Sequence, residues 1–547
     1  MIYSNIKVKI PNKTVVMKNG SVYYQIGRTY LSDKKYNVPK RVCIGKICDD
    51  DNLNPNDNYF EYFNDESFLK QPPILSDTLS VGFNVVMDKI LDDTQIDILL
   101  KEIYSIDEYK AMRDLMSYII SYETSTIQHF QYFARKTNIL SDTIRSDSYY
   151  SNFFKEVITN KKIELFLDAW NKLERNEDKL YISYDSTNMN TNSIGIELAE
   201  YGHAKKDEDL PQVNLSLAIN QKQSLPLFYE LYPGSNIDNN QLRHMVDRLK
   251  EYGYKNIGVI LDRGYYSRFN INYLKDNGYD YLLMVKTNNE VINELILKYR
   301  YLLPKAKYYI EEHELYGVKE KLKLYEGDKK ESYIHLYFDP TRAADETKKL
   351  LSRQSILAKE LDNHIKSHHK KDDLKKTYPS FKLKADKQGY LISYKENEEY
   401  LDNLSDTLGF FSIISSSDMS SSKALSIYRD RDTVEKLFEA LKTDMDYEKY
   451  RVSSSSSLRG KTFMIFIASI IRSRIFYKTK DLKDTNRKDY TVPAIINELL
   501  NIEVSKNAKD KYVRRYSLTS KQKNILSKFN LTEKDIDRLL IDLNNRQ

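Results

Sequence analysis

The pattern of this 547-residue chain predicts an α/β fold with an inserted subdomain, preceded by a strand-rich arm and a helical domain. Three strand-like segments follow one another directly: "KLYISYDST" (179–187), "QVNLSLAIN" (212–220) and "LPLFYELYP" (225–233). Strands then alternate with helices, through "NNQLRHMVDRLKEYG", the apolar "NIGVILDRG" (256–264), a helix near 268–277 and "YDYLLMVK". That order is expected where helices cover the faces of a sheet. The alternation breaks at residues 287 to about 407, which are strongly charged, and resumes at "LGFFSIISSS", so this stretch reads as an insertion.

Residues 1–70 carry the alternation and the aromatic and β-branched content of short strands, as in "VYYQIGRTYL" and "KRVCIGKIC", followed by the turn-rich, acidic "DDDNLNPNDN". The two cysteines, Cys43 and Cys48, are too few for a disulfide framework or a four-cysteine zinc site, and their odd offset puts them on opposite faces of a strand. Over 75–178 the period becomes helical, as in "GFNVVMDKILDDTQIDILLKEIY", "KAMRDLMSYIISYE" and "SNFFKEVITNKKIELFLDAWNKL", with Trp170 expected as a core anchor.

The α/β domain is expected over 179–475. Within its insertion "HIKSHH" sets His364 and His368 at i and i+4, a possible metal pair, although the surrounding lysines favour a solvated helix face. "SSSSSLRGKTFMIFIASIIRSRIF" reads as a capped, mostly buried helix. Residues 476–547 are expected to form a basic helical region.

Bulk properties exclude little but bound the partners. The start "MIYSNIKVKIPNKT" has no apolar leader core, and the run "TFMIFIASII" is too short to span a bilayer, so a cytoplasmic protein without a membrane partner is expected. Net charge is only +6, but from Arg451 onward 21 Lys and Arg stand against 10 Asp and Glu, an excess compatible with a polyanion partner or with a solubilising surface.

Two acids hold matching positions: Asp185 closes the first strand of the series, and Asp262 closes the buried strand "GVILD". Each could simply open a turn; both also lie where open α/β sheets place their sites. The segment "YRDRDTVEKLFEALK" (428–442) supplies a third. Taken as one helix with Tyr428 at zero, its apolar residues Ile427, Val434, Leu437, Phe438 and Leu441 fall between about 180° and 280°, while Arg431, Glu435 and Lys442 fall near ~300°, ~340° and ~320°. Glu439, near ~20°, is almost as well placed as Glu435. Carboxylates without a neighbouring thiol or imidazole base suit oxygen-bound Mg²⁺ or Mn²⁺, and a pair of such ions can clamp both oxygens of an in-line phosphoryl transfer.

The spacing Tyr428-x2-Arg431-x3-Glu435-x6-Lys442 resembles the YREK signature of bacterial insertion-sequence DDE transposases of the "insertion-sequence four" group and its relatives. Asp185-Ser186-Thr187, "GHAKKDEDLPQVNLSLAINQKQSLPLFYELYPGSNIDNNQL", "ILDRGYYSRFNINYLKDNGYDYLLMVK" and "LRGKTFMIFIASII" resemble that family's further segments, in order, over about 180–290 and 407–475. The resemblance selects Glu435 over Glu439. It implies an RNase H-like fold with a subdomain inserted before the helix bearing the glutamate, and two Mg²⁺ (or Mn²⁺) held by Asp185, Asp262 and Glu435. Tyr428, Arg431 and Lys442 would contact the transposon-end strand, and the first 178 residues would recognise end DNA. The implied activity is cleavage at the ends of a mobile element and transfer of the 3′-ends to target DNA, by a homodimer on paired ends, in the nucleoid. The rivals are a DNA-binding protein of transposon origin that has lost catalysis, and a plain metal-dependent nuclease on the same fold.

Overall fold

Nine strands form the central sheet of the computed structural model, which describes residues 7–31, 36–63, 77–175, 179–202, 209–236, 238–285, 289–328, 331–483 and 490–545. Residues 203–208 of the segment between the two aspartates, and 287–288 at the start of the expected insertion, lie outside the described residues.

The N-terminal arm is a separate sheet of β1 (Val8–Lys9), β2 (Thr14–Val16), β3 (Ser21–Leu31), β4 (Tyr36–Ile47) and β5 (Asn52–Pro55), ordered β1-β5-β4-β3-β2. Val22, Ile44 and Leu53 pack under the helix Asp57–Phe63 through Tyr59 and Phe60. Strand β4 ends at Ile47, so Cys48 lies beyond it rather than on the face opposite Cys43.

Helices from Gly82 to Glu174 follow β6 (Thr78–Ser80). Ser105 opens the helix Ile106–Ser121 with a reciprocal capping box to Glu108, which satisfies two of the donors a helix start leaves orphaned. Trp170 is fully buried, and its indole N–H donates to the Pro226 carbonyl (3.1 Å). Pro226 belongs to the central sheet, so the helices and the sheet share one continuous hydrophobic core.

In that sheet β7 (Leu180–Asn190), β8 (Gln212–Asn220) and β9 (Leu225–Pro233) form an antiparallel meander. Strand β10 (Ile257–Leu261) runs parallel to β7, and β11 (Asp280–Val285) parallel to β10. Every residue of β8 and β10 is buried, as expected of strands covered on both faces. One cover is the helix Ser455–Thr479, buried around nearly its whole circumference, whose Phe463 and Phe466 pack on Phe166 and Tyr229. Ser454 caps its start by accepting from the Ser457 N–H.

The stretch expected as one insertion divides in two. Strands β12 (Tyr309–Ile310), β13 (Leu315–Leu322) and β14 (Ser332–Phe338) extend the central sheet, β14 pairing antiparallel with β17 (Phe410–Ser415), which itself pairs with β11. Their charges belong to the half-covered β13, flanked on its outer side by the two-residue β12, where Val318 alternates with Lys319 and Lys321. Within this stretch the chain between β14 and β17 builds a core of its own. There the helix Pro340–Lys366 and the hairpin β15 (Phe381–Ala385) and β16 (Leu391–Glu396) enclose a small core of Leu361, Leu374, Tyr378, Phe381 and Leu391. His364 contacts the Tyr378 hydroxyl (3.1 Å), while His368 lies past the helix end at φ 52°, so the i, i+4 pair of the sequence is not formed.

The C-terminal region is not wholly helical. Strands β18 (Glu503–Lys506) and β19 (Tyr512–Arg514) pair with each other and β18 with β6, which ties the end of the chain to the start of the helical region.

Candidate active site

Register brings the two aspartates together. Leu261 of β10 stands opposite Tyr184 of the parallel β7, so the next residues, Asp262 and Asp185, are neighbours. Asp185 does not end its strand as the sequence suggests, because β7 runs on to Asn190 against β8. It lies where the parallel partner stops, and its Oδ1 accepts from the Ser186 N–H (2.8 Å). Asp262 does open a short helical turn, but through its backbone carbonyl, which accepts from Tyr265 N (3.0 Å); its carboxylate makes no cap. A turn-former would use the side chain, and here it is spared.

The signature segment is not one helix. The helix Ser421–Arg429 ends at Asp430, and a second, Asp432–Glu439, begins after Arg431. Between them Arg431, Thr433 and Val434 donate to carbonyls three residues back (3.0, 3.2 and 2.9 Å), a tightened turn that shifts the phase of the second helix. A π-turn, Ala440–Asp444, shifts it again and carries the half-buried Lys442. Even spacing of 100° per residue therefore fails on both sides of Glu435. Most of the apolar stripe survives: Val434, Leu437, Phe438 and Leu441 are buried in the main core, while Ile427, on the first helix, is only partly buried and packs on a separate cluster.

The break turns Arg431 inward. Its Nη1 donates to Asp185 Oδ2 (3.2 Å), and its Nη2 donates to Glu435 Oε1. The guanidinium lies 5.6 Å from the centre of the Tyr428 ring, and the Tyr428 hydroxyl makes a long contact of 3.4 Å to Asp262 Oδ1. Burial works against the charge on Arg431, but Tyr428, Asp262, Asp185 and Glu435 outweigh it and hold its pKa above the ordinary value. Burial pushes the Tyr428 phenol up, Arg431 opposing and Asp262 adding to the shift. The three predicted acids are thus joined through Tyr428 and Arg431. Glu439, the geometric alternative to Glu435, sits at the far end of the second helix, and Arg431 reaches Glu435 instead.

Three carboxylates, two paired with the one guanidinium and the third reached by Tyr428, leave the cluster net negative. Its oxygen-only donors suit a hard cation, and the Glu435 side chain, 55% exposed, keeps the site open to solvent. Among the described residues no three His, Cys, Asp or Glu side chains are grouped closely enough to hold a metal ion as they stand. The guanidinium of Arg431 lies between Asp185 and Glu435.

Sequence reasoning missed the support of this segment. Gln221, in the turn after β8, donates to the Ile427 carbonyl (3.0 Å) and anchors the first helix over the sheet. No sequence signal distinguishes that glutamine from any other turn residue. The clamp by Arg431 was equally hidden, since its partner Asp185 lies 246 residues away.

Residues 177–471 match the transposase DDE domain family. No curated protein matches the chain. Among solved structures it is similar to piggyBac transposase in a synaptic complex with hairpin DNA, at 11% identity over 76% of this chain and 70% of that one, with a TM-score of 0.33. It is also similar to Drosophila P element transposase in a strand transfer complex, at 12% identity over 82% and 87%, with a TM-score of 0.19.

Proposed function

The chain belongs to the transposase DDE domain family, and from that premise we propose that it cleaves DNA at the ends of its own insertion sequence and joins the freed 3′-ends to target DNA. The observation that carries this reading is the convergence of Asp185 and Glu435 on Arg431 and of Asp262 on the adjoining Tyr428, from three segments far apart in sequence. Three antiparallel strands followed by two parallel ones, with the aspartates at the change of direction, support an RNase H-like core. The signature residues Tyr428, Arg431, Glu435 and Lys442 support membership of the insertion-sequence four group or a near relative.

Asp185, Asp262 and Glu435 would hold Mg²⁺ or Mn²⁺, which when bound stabilises charge on the attacking and leaving oxygens of a phosphodiester. The chain's own groups do the positioning. Arg431 carries a fork of donors matched to phosphate oxygens as well as to carboxylates, so it can pass from Asp185 and Glu435 to the backbone of an incoming strand. Lys442 supplies a second cation for the same strand, and the buried Tyr428 keeps Arg431 in place from below. Two element ends brought together call for two such sites, hence a dimer on DNA.

The test is incubation of the full chain with duplex spanning one element boundary, in Mg²⁺ or Mn²⁺, with EDTA and Glu435→Gln as controls and cuts mapped to the nucleotide. A metal-dependent cut at the boundary, absent in the variant, is expected. Cutting without boundary preference or strand joining would instead mark a plain nuclease.

A further inference from the structure

A cavity of about 600 Å³ opens between the helical region and the sheet, beyond the C-terminal end of β7, and the acid cluster does not line it. The helix Ser455–Thr479 forms one wall with its first turns, and Ser125, Thr126, Thr191 and Ser193 present hydroxyls around it. Gly460 brings that helix close against the helical region: a Cβ there would lie 2.2 Å from the Phe154 carbonyl oxygen, so no larger residue fits.

Into this cavity faces Lys461, 3% exposed. Among the described residues no hydrogen bond or ion pair takes its ammonium; the centre of the Tyr447 ring is 5.8 Å from it. Burial lowers its pKa to about 8, with Arg451 adding to the shift and Asp446 opposing it. A buried lysine with no carboxylate is costly to maintain, and sequence chemistry alone offers no reason for it among serines and threonines. Arg451 reaches the same cavity, donating to the Thr126 hydroxyl (2.8 Å) and pairing with Asp446, and the exposed Lys449 adds a third cation. Asp147 is the one carboxylate residue among those lining the cavity. A capped helix start, a desolvated ammonium, a guanidinium and several hydroxyls make a site for an anion with many acceptor oxygens.

We propose that this cavity binds a phosphate group of the DNA backbone, held by Lys461 and Arg451 at the start of the helix Ser455–Thr479. Its ligand class rests on the transposase reading. Thr191, on the cavity wall just past the end of β7, follows Asp185 by six residues, a distance of ~20 Å for extended chain. A B-form strand advances ~3.4 Å per phosphate, so the subsite would grip duplex about six nucleotides from the scissile bond. The signature residues act at the cleavage point; this site would set where along the strand that point falls.

The experiment measures binding of a fluorescein-labelled duplex of about three helical turns by anisotropy between ~50 and ~200 mM salt, for wild type, Lys461→Met, Lys461→Gln and Arg451→Gln. Each Lys461 variant is expected to weaken binding about fivefold to tenfold and to lower the salt slope by about 1. Thermal melting serves as the folding control, because replacing an unpartnered buried ammonium by Met should leave the midpoint unchanged or raise it. Wild-type affinity and slope in both folded Lys461 variants would overturn the proposal. A second arm adds inorganic phosphate at constant ionic strength and reads the melting midpoint. A rise in wild type that is lost in Lys461→Met supports the subsite even if wild type binds no duplex, in which case the transposase reading falls separately. A phosphate-induced rise together with unchanged duplex binding would assign the cavity to a free anion and overturn the DNA assignment. No rise, or an equal rise in the variant, would overturn the subsite itself.

Discussion

Arg431 donates to Asp185 across 246 residues of sequence and 3.2 Å of space, while its other arm holds Glu435. The contact exists because the signature segment breaks at Asp430–Arg431, which turns the guanidinium under the helix that carries Glu435. A guanidinium and a divalent cation seek the same carboxylate oxygens, so the two compete.

Replacing Arg431 by Ala removes that competitor. Mn²⁺ affinity, measured by calorimetric titration, is expected to rise roughly tenfold, the effect of about 1.4 kcal/mol of lost repulsion at short range. Stability should fall by ~3–5 kcal/mol, because Arg431 is buried and its truncation leaves the largely shielded Asp185 without this partner. DNA cleavage should be lost all the same. Unchanged Mn²⁺ affinity would mean that the arginine does not oppose the ion.

Glu435→Gln keeps the size and most of the hydrogen-bonding capacity of the side chain while removing its charge. Cleavage should disappear, and duplex binding and the unfolding midpoint should hold, with stability within ~0.5 kcal/mol of wild type for so exposed a position. Phe438→Ala, one turn on and 7% exposed, should do the reverse in stability, costing ~3–5 kcal/mol by opening a cavity under the same helix. Comparison of the two by urea unfolding separates the chemical face of this helix from its packing face.

What the sequence disclosed was local. Asp262 closing its apolar strand, the stripe Val434–Leu437–Phe438–Leu441 and the serine cap before the buried helix are each written within a few residues, and each is found in the structure, whereas the strand of Asp185 runs on past it to Asn190. What it hid depends on partners far away. The break at Arg431 changes hydrogen bonds from four residues back to three, which no residue type in "YRDRDT" announces. Strands β12 to β14 looked like part of a charged insertion because β13, flanked on its outer side by the two-residue β12, keeps its lysines exposed. Nothing in the sequence of the buried helix singles out Lys461, and only the cavity beside it gives that position a meaning.

Trp170 is the single tryptophan of the chain, fully buried between the helical region and the sheet. Its emission should therefore be blue-shifted in the native protein and report directly on whether those two layers stay together. Trp170→Phe removes the bond to the Pro226 carbonyl and part of the ring volume, and should cost ~2–4 kcal/mol in urea unfolding. If the helices unfolded independently of the sheet, the tryptophan transition would precede the loss of helical circular dichroism; the shared core predicts that the two coincide.

Acid should weaken the fold through one buried histidine. His335, on β14, is fully buried, with Nε2 3.0 Å from the Ser415 hydroxyl and Nδ1 3.4 Å from that of Ser421. Burial lowers its pKa to about 4, Lys319 adding to the shift and Asp418 opposing it. An unfolded chain restores the ordinary value near ~6.5, so between these limits the unfolded state binds the extra proton. Stability from this residue is thus complete above pH ~6.5 and is lost as pH falls towards ~4, by up to about 3 kcal/mol. His335→Gln, which keeps a polar side chain against the two serines but cannot take up the proton, should flatten that part of the profile. Urea midpoints at pH 5 and pH 7 for both proteins provide the measurement. An equal loss in wild type and variant would place the acid sensitivity on other groups and leave His335 a packed, neutral residue without a titrating role.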